Sequence, residues 1–173
     1  TATSKPFSPQ EEYGNALFGE ARRGGNSCSA FQNFMKGSNQ YMSKSAIYTT
    51  NVSAPTVAVG GIVPFGTTTR RYGCNIRQDG NAITLCGQGY YLVNISATLA
   101  PTAAGTVSLT AQKDGVAIIG ATASQTVAAA GIANLDITAI VRNACGCESS
   151  LLSLILGGVE SVVNNLAVTV EKL

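Results

Sequence analysis

Residues 87–101 read GQGYYLVNISATLAP, and with a period of two Tyr91, Val93, Ile95, Ala97 and Leu99 fall on one side. That alternation predicts a half-buried strand. The opposite side is polar only from Asn94, through Ser96 and Thr98; it begins with Tyr90 and Leu92. The period-two pattern runs through the chain from Ala46 onward. AIYTT and TVAVGGIVPF are rich in β-branched and aromatic residues, broken by Gly60–Gly61 and Pro64. YGCNI leads through RQDGN to AITLC, with a tight-turn signal at Asp79–Gly80. GTVSLTAQKDGVAII turns at Asp114–Gly115 and points Val107, Leu109 and Ala111 inward. IANLDITAIV places Leu135, Ile137, Ala139 and Val141 on one face, and NNLAVTVEKL does the same with Leu166, Val168 and Val170. LLSLILGG is apolar throughout. No segment sustains a helical period. About eight to ten short strands, with turn signals every ~8–12 residues, predict an all-β antiparallel sandwich or jelly roll over residues 46–173.

Three of these strands break the rule that a two-layer sandwich is apolar on one face only. The first carries Tyr90 and Leu92 on its second face. LLSLIL, with Leu152, Leu154 and Leu156, is apolar on both. The last has small Ala167 and Thr169 where charge is expected. If the three lie side by side, one sheet has an outer face that needs cover. The simplest cover is another copy of the chain. The competing reading is a monomer whose N-terminal segment folds back over that sheet.

Residues 1–45 are rich in Ser, Asn, Gln and Gly, with scattered apolar anchors. SPQE at Ser8–Glu11 has the form of a helix start, and Ala30–Lys36 is a second short helix candidate, ended by Gly37. Gly14 and Gly19 offset the stabilisation from the cap. Two readings stand: a disordered tail, or an extended arm that orders on a partner through Phe7, Tyr13, Leu17, Phe18, Phe31 and Phe34.

TVAVGGIVPF, AITLCGQGYYLV, the Asp-Gly hairpin and the closing LAVTVEKL together resemble the C-terminal domain of the collagen-like glycoproteins of bacterial exosporia. That domain belongs to the tumour necrosis factor and complement globular-head superfamily. Gly89-x-Tyr91-x-Val93 is similar to its G-x-Y-x-F strand. The resemblance covers residues 46–173. It implies a ten-strand jelly roll forming a homotrimer, with the strand after Gly89 and the last strand in the sheet that faces the threefold axis. The chain departs from these relatives in having no preceding Gly-X-Y repeats and in the stretch RNACGCESS. Domains of this type also occur in structural proteins of bacterial viruses, and an arm followed by a compact trimer suits that role.

Composition narrows the chemistry. Only 12% of the 173 residues are charged, against a usual ~25%, which suits a chain that hides surface in an assembly. The net charge is +2 and aromatic residues make up 6%, so neither an electrostatic footprint nor a stacking platform for nucleic acid is expected. No apolar run approaches the ~20 residues of a membrane span, and no signal peptide is visible. The chain has no His, the commonest general base and metal ligand. With no G-x-S-x-G setting, no phosphate-cradling loop and no carboxylate pair either, neither enzyme activity nor a cofactor is expected.

Five Cys make a complete intrachain disulfide set impossible, and they are expected mostly as reduced thiols. Cys145 and Cys147 form a CGC turn open to three readings: inert, bridged between chains, or metal-binding. Cys74 and Cys86 flank the Asp79–Gly80 hairpin and read either as a cross-strand disulfide or as small apolar side chains. Arg70–Arg71, with Arg77, is the one dense basic group. It reads as a solvated loop, as the partner of an acidic neighbouring surface, or as the partner of carboxylates on an adjacent subunit. The expected role is a non-enzymatic, homotrimeric virion protein on the exterior of a bacteriophage capsid, held to the shell protein by its arm. The alternative is a spore-surface or secreted head that binds a receptor or glycan.

Overall fold

The computed structural model describes residues 44–144 and 149–173. These form eleven strands: β1 (Ala46–Asn51), β2 (Thr56–Val57), β3 (Thr67–Tyr72), β4 (Ile76–Asp79), β5 (Ala82–Leu85), β6 (Gly89–Pro101), β7 (Gly105–Lys113), β8 (Val116–Val127), β9 (Ala133–Asn143), β10 (Ser150–Gly157) and β11 (Ser161–Lys172). One antiparallel sheet runs β3-β1-β11-β6-β9, with β2 also paired to β11; the other runs β4-β5-β10-β7-β8. The two sheets face each other as a jelly roll, the architecture expected from the alternation.

The core is the set of inward positions that the period-two pattern marks. Tyr91, Val93, Ile95, Ala97 and Leu99 of β6 are buried against Val107, Leu109 and Ala111 of β7 and their neighbours. Each large apolar side chain removed from water contributes ~1.5–3 kcal/mol. In β11, Val163 and Leu166 are both wholly buried although they are three positions apart. Strict alternation sets such residues on opposite faces. A bulge between Val163 and Asn165 resets the phase, so that Leu166, Val168 and Val170 all point inward.

The β7–β8 turn has both Asp114 (φ 53°) and Gly115 (φ 79°) in the left-handed region, as a two-residue hairpin requires. The Asp114 carboxylate accepts a hydrogen bond from the Leu151 amide at 2.7 Å, tying this turn to the start of β10. Glutamines bridge the sheets at both sides. Gln78 donates to the Gly66 carbonyl at 2.6 Å, and Gln125 accepts from the Asn134 amide at 2.8 Å.

One expectation fails here. β10, which carries LLSLIL, does not lie beside β6 and β11; it is the middle strand of the opposite sheet. Leu152, Leu154 and Leu156 are wholly buried inside the sandwich and are not available to a neighbouring subunit. The side chains on the other face of that strand are Leu151, Ser153 and Ile155. A central strand needs a complete inward row, and Leu at alternate positions supplies it.

Candidate subunit interface

The outer face of the β3-β1-β11-β6-β9 sheet is where the second apolar row of β6 sits. In register across the sheet, Tyr90 stands opposite Arg142, and Leu92 stands between Glu171 and Ile140. Tyr90 is 51% exposed and Ile140 60%, with Leu92 half-buried between the neighbouring strands. The next row holds Tyr48, Thr169, Asn94 and Thr138, and the one beyond it Thr50, Ala167, Ser96 and Asp136. The apolar side chains therefore gather near the end where β6 begins and β11 ends, and polar ones take over toward the middle. That is why one end of β6 is apolar on both faces.

The polar part of this face is ordered by side-chain pairs. Thr138 Oγ1 donates to Asn94 Oδ1 and Thr98 Oγ1 to Asn134 Oδ1, each at 3.0 Å. Asn94, Ser96, Asp136, Thr138, Ala167 and Thr169 line an open hollow of about 220 Å³. Ala167 and Ser96 are too short to fill it, so a second surface can approach the backbone closely there.

A second apolar surface lies at the edge where the two sheets meet. Between Thr110 and Gln112 the register of β7 with β8 slips, and β8 bulges outward. Gly120 (φ 80°) permits the bend, Ala121 returns to the core, and Ile119 is left fully exposed at the crest. Beside it, Val116, Ile118, Ile140 and Arg142 help line a wider open hollow of about 400 Å³.

The sequence motif around Gly89 has a packing reason. A Cβ at Gly89 (φ 148°) meets Cε of Lys172 at 3.0 Å, so glycine leaves room for that side chain to cross. The Lys172 ammonium lies 5.8 Å from the centroid of the Tyr91 ring, a cation–π geometry. Burial holds its pKa below the ordinary lysine value. The Tyr91 hydroxyl donates to the carbonyls of Cys86 at 2.6 Å and Gly87 at 2.9 Å. Burial first, then the Cys86 thiol, push the Tyr91 pKa up to about 12.

Of the residues singled out in the sequence, Tyr90, Leu92, Ala167 and Thr169 share the outer face of the first sheet, whereas Leu152, Leu154 and Leu156 belong to the core. Ile140, Tyr48 and Ile119 were missed. Ile140 left a trace, because it interrupts the polar row Asn134, Asp136, Thr138 of β9; Ile119 left none, because a bulge is set by register. Cys86 carries a free thiol, so it is not bridged to Cys74. Burial raises its pKa. Cys145 and Cys147 lie outside the described residues, as do Phe7, Tyr13, Leu17, Phe18, Phe31, Phe34 and both helix candidates.

No protein-family model matches the chain, and no curated protein sequence does. Solved structures do. Eiger TNF from S. frugiperda aligns with a TM-score of 0.55 at 13% identity, over 75% of this chain and 91% of that one. Murine APRIL at pH 5.0 aligns with a TM-score of 0.53 at 11% identity, over 75% and 99%. The globular domain of zebrafish complement 1qA protein aligns with a TM-score of 0.50 at 11% identity, over 74% and 95%. Identity this low speaks to architecture alone. The described residues thus share the jelly-roll fold of these three proteins.

Proposed function

We propose that the chain is a non-enzymatic structural head that closes into a homotrimer through the β11-β6-β9 part of the outer face of its first sheet. Residues 1–43 tether it to the shell protein of a larger particle, a virion exterior. The observation that carries this reading is the outward-facing apolar group of exposed Tyr90 and Ile140 and half-buried Leu92, placed beside the short side chains of Ala167 and Thr169. An exposed apolar group rimmed by polar residues is the mark of an interaction site. In a cyclic trimer each contact is heterologous, so this face meets a different surface of the next copy. The edge bearing Ile119, Val116 and Ile140 is a second exposed apolar surface suited to that part. The low charge content and the tether-then-head order of the chain support the placement on a shell.

Light scattering tests the assembly. The intact protein is expected at about three times the 17.7 kDa chain mass. Leu92→Glu sets a carboxylate beside Glu171 on that outer face, and is expected to give monomer or aggregate. A wild-type monomer, or an unchanged Leu92→Glu trimer, overturns the interface.

A further inference from the structure

The described residues contain seven Lys and Arg: Lys44, Arg70, Arg71, Arg77, Lys113, Arg142 and Lys172. They are scattered through the sequence, yet the fold gathers them toward one end of the sandwich. Lys172 is the last residue of β11, and its amide donates to the Ser45 carbonyl next to Lys44. Arg142 stands opposite Tyr90 at the start of β6, and Lys113 Nζ donates to its carbonyl at 3.0 Å. Arg70 and Arg71 pair with Tyr48 and Ile47 near the start of β1. The opposite end is made by segments 53–55, 102–104, 128–132 and 158–160, in which Glu160 is the single charged side chain. Of the three acids at the basic end, Glu171 is exposed on β11 beside Leu92 and the other two are engaged. Asp79 accepts from Arg77 Nε at 2.9 Å, and Asp114 accepts from the Leu151 amide. Arg70, Arg71 and Arg142 are exposed and form no ion pair among the described residues.

We propose that this basic end is a seating surface for an acidic protein partner, with the Arg70 and Arg71 guanidinium groups of the edge strand β3 taking its carboxylates. The proposal rests on the reading of the chain as a tethered head, since residues 1–43 join the sandwich at Lys44, on the same end. A guanidinium fork matches a carboxylate in a bidentate pair. Tyr72, 70% exposed, stands beside the two arginines on the edge strand β3. Arg and Tyr are the residue types that dominate protein interfaces. A phosphate polymer instead calls for a dense basic stripe, and the net charge of the whole chain is only +2.

The probe is soluble poly-L-glutamate, titrated against the full chain at low and high salt. The wild type is expected to bind at low salt and release at high salt. Arg70→Glu with Arg71→Glu, both on the exposed strand β3, is expected to weaken binding at least tenfold. Arg70→Gln with Arg71→Gln is expected to weaken it in the same direction and guards against misfolding of the first pair. The control Ala128→Glu with Ala129→Glu makes the opposite end acidic and is expected to change binding less than twofold. Equal weakening by Arg70→Gln/Arg71→Gln and by the alanine pair overturns the proposal, because net charge alone then explains the binding. Tighter binding to duplex DNA or to phosphatidylserine vesicles than to poly-L-glutamate overturns it too. Light scattering on the same samples reports the oligomer separately, so a failed trimer and a failed seating surface give different results.

Discussion

Thr49 is wholly buried in β1, and its hydroxyl has no hydrogen-bond partner. A buried unsatisfied group costs ~1–3 kcal/mol, whereas an apolar group of the same shape costs nothing of that kind. Thr49→Val is therefore expected to stabilise the fold by about 1 kcal/mol, read as a higher midpoint in urea unfolding. A lower midpoint shows that the hydroxyl has a partner after all. Tyr91 makes the opposite case, a buried hydroxyl with two acceptors. Its pKa is raised to about 12, so between about pH 10 and 12 the unfolded chain loses this proton while the folded one keeps it. Stability from this group falls as pH rises through that window. Tyr91→Phe is expected to be less stable at neutral pH and to lose that part of the alkaline decline, seen by unfolding the two proteins side by side across the window. An unchanged decline assigns it to other groups.

A strand's place in the sheet order decides what its second face means. β6 and β11 are neighbours, and their outward residues make one surface. β10 has the more apolar sequence but is spent on the core of the other sheet. Leu154→Ala is accordingly expected to destabilise the fold by ~2–5 kcal/mol, the range for a truncated core leucine. The fraction that stays folded is expected to keep the wild-type oligomeric mass in light scattering. A folded protein of lower mass returns Leu154 to the interface. The bulge in β8 works at this scale too. It turns one residue of an ordinary edge strand into the most exposed isoleucine of the described chain.

For the molecule as a whole, charge and chain entry coincide. Residues 1–43 lead into the end that carries the cations, and Ser45 is already part of the sandwich: its carbonyl accepts from the Lys172 amide, and its hydroxyl from the Asn75 amide at 3.3 Å. Removing residues 1–43, with Lys44 and Ser45 kept, is expected to leave a folded trimer that no longer joins its particle. Circular dichroism and co-sedimentation with the particle check the two halves of that statement. An unfolded product shows that the segment completes the core. A truncated protein that still joins the particle removes the tether from the proposed function.

Much of the inward half of the sandwich was legible in the sequence. Burial on one face forces a period of two, and Tyr91 to Leu99, Val107 to Ala111, and Leu166 to Val170 record it directly. The Asp114–Gly115 turn was legible for a similar reason, since few residues tolerate a positive φ. Which strands lie side by side was not legible, because a sheet order is a set of long-range pairings that no local pattern encodes. That is how Leu152, Leu154 and Leu156 came to be expected on a surface they never reach. The exposed Ile119 and the gathering of the cations at one end likewise depend on register and topology. Alternation along the chain determined which side chains leave water; only the tertiary structure decided which of those remaining outside stand together, because that depends on strands distant in sequence being brought into hydrogen-bonding distance.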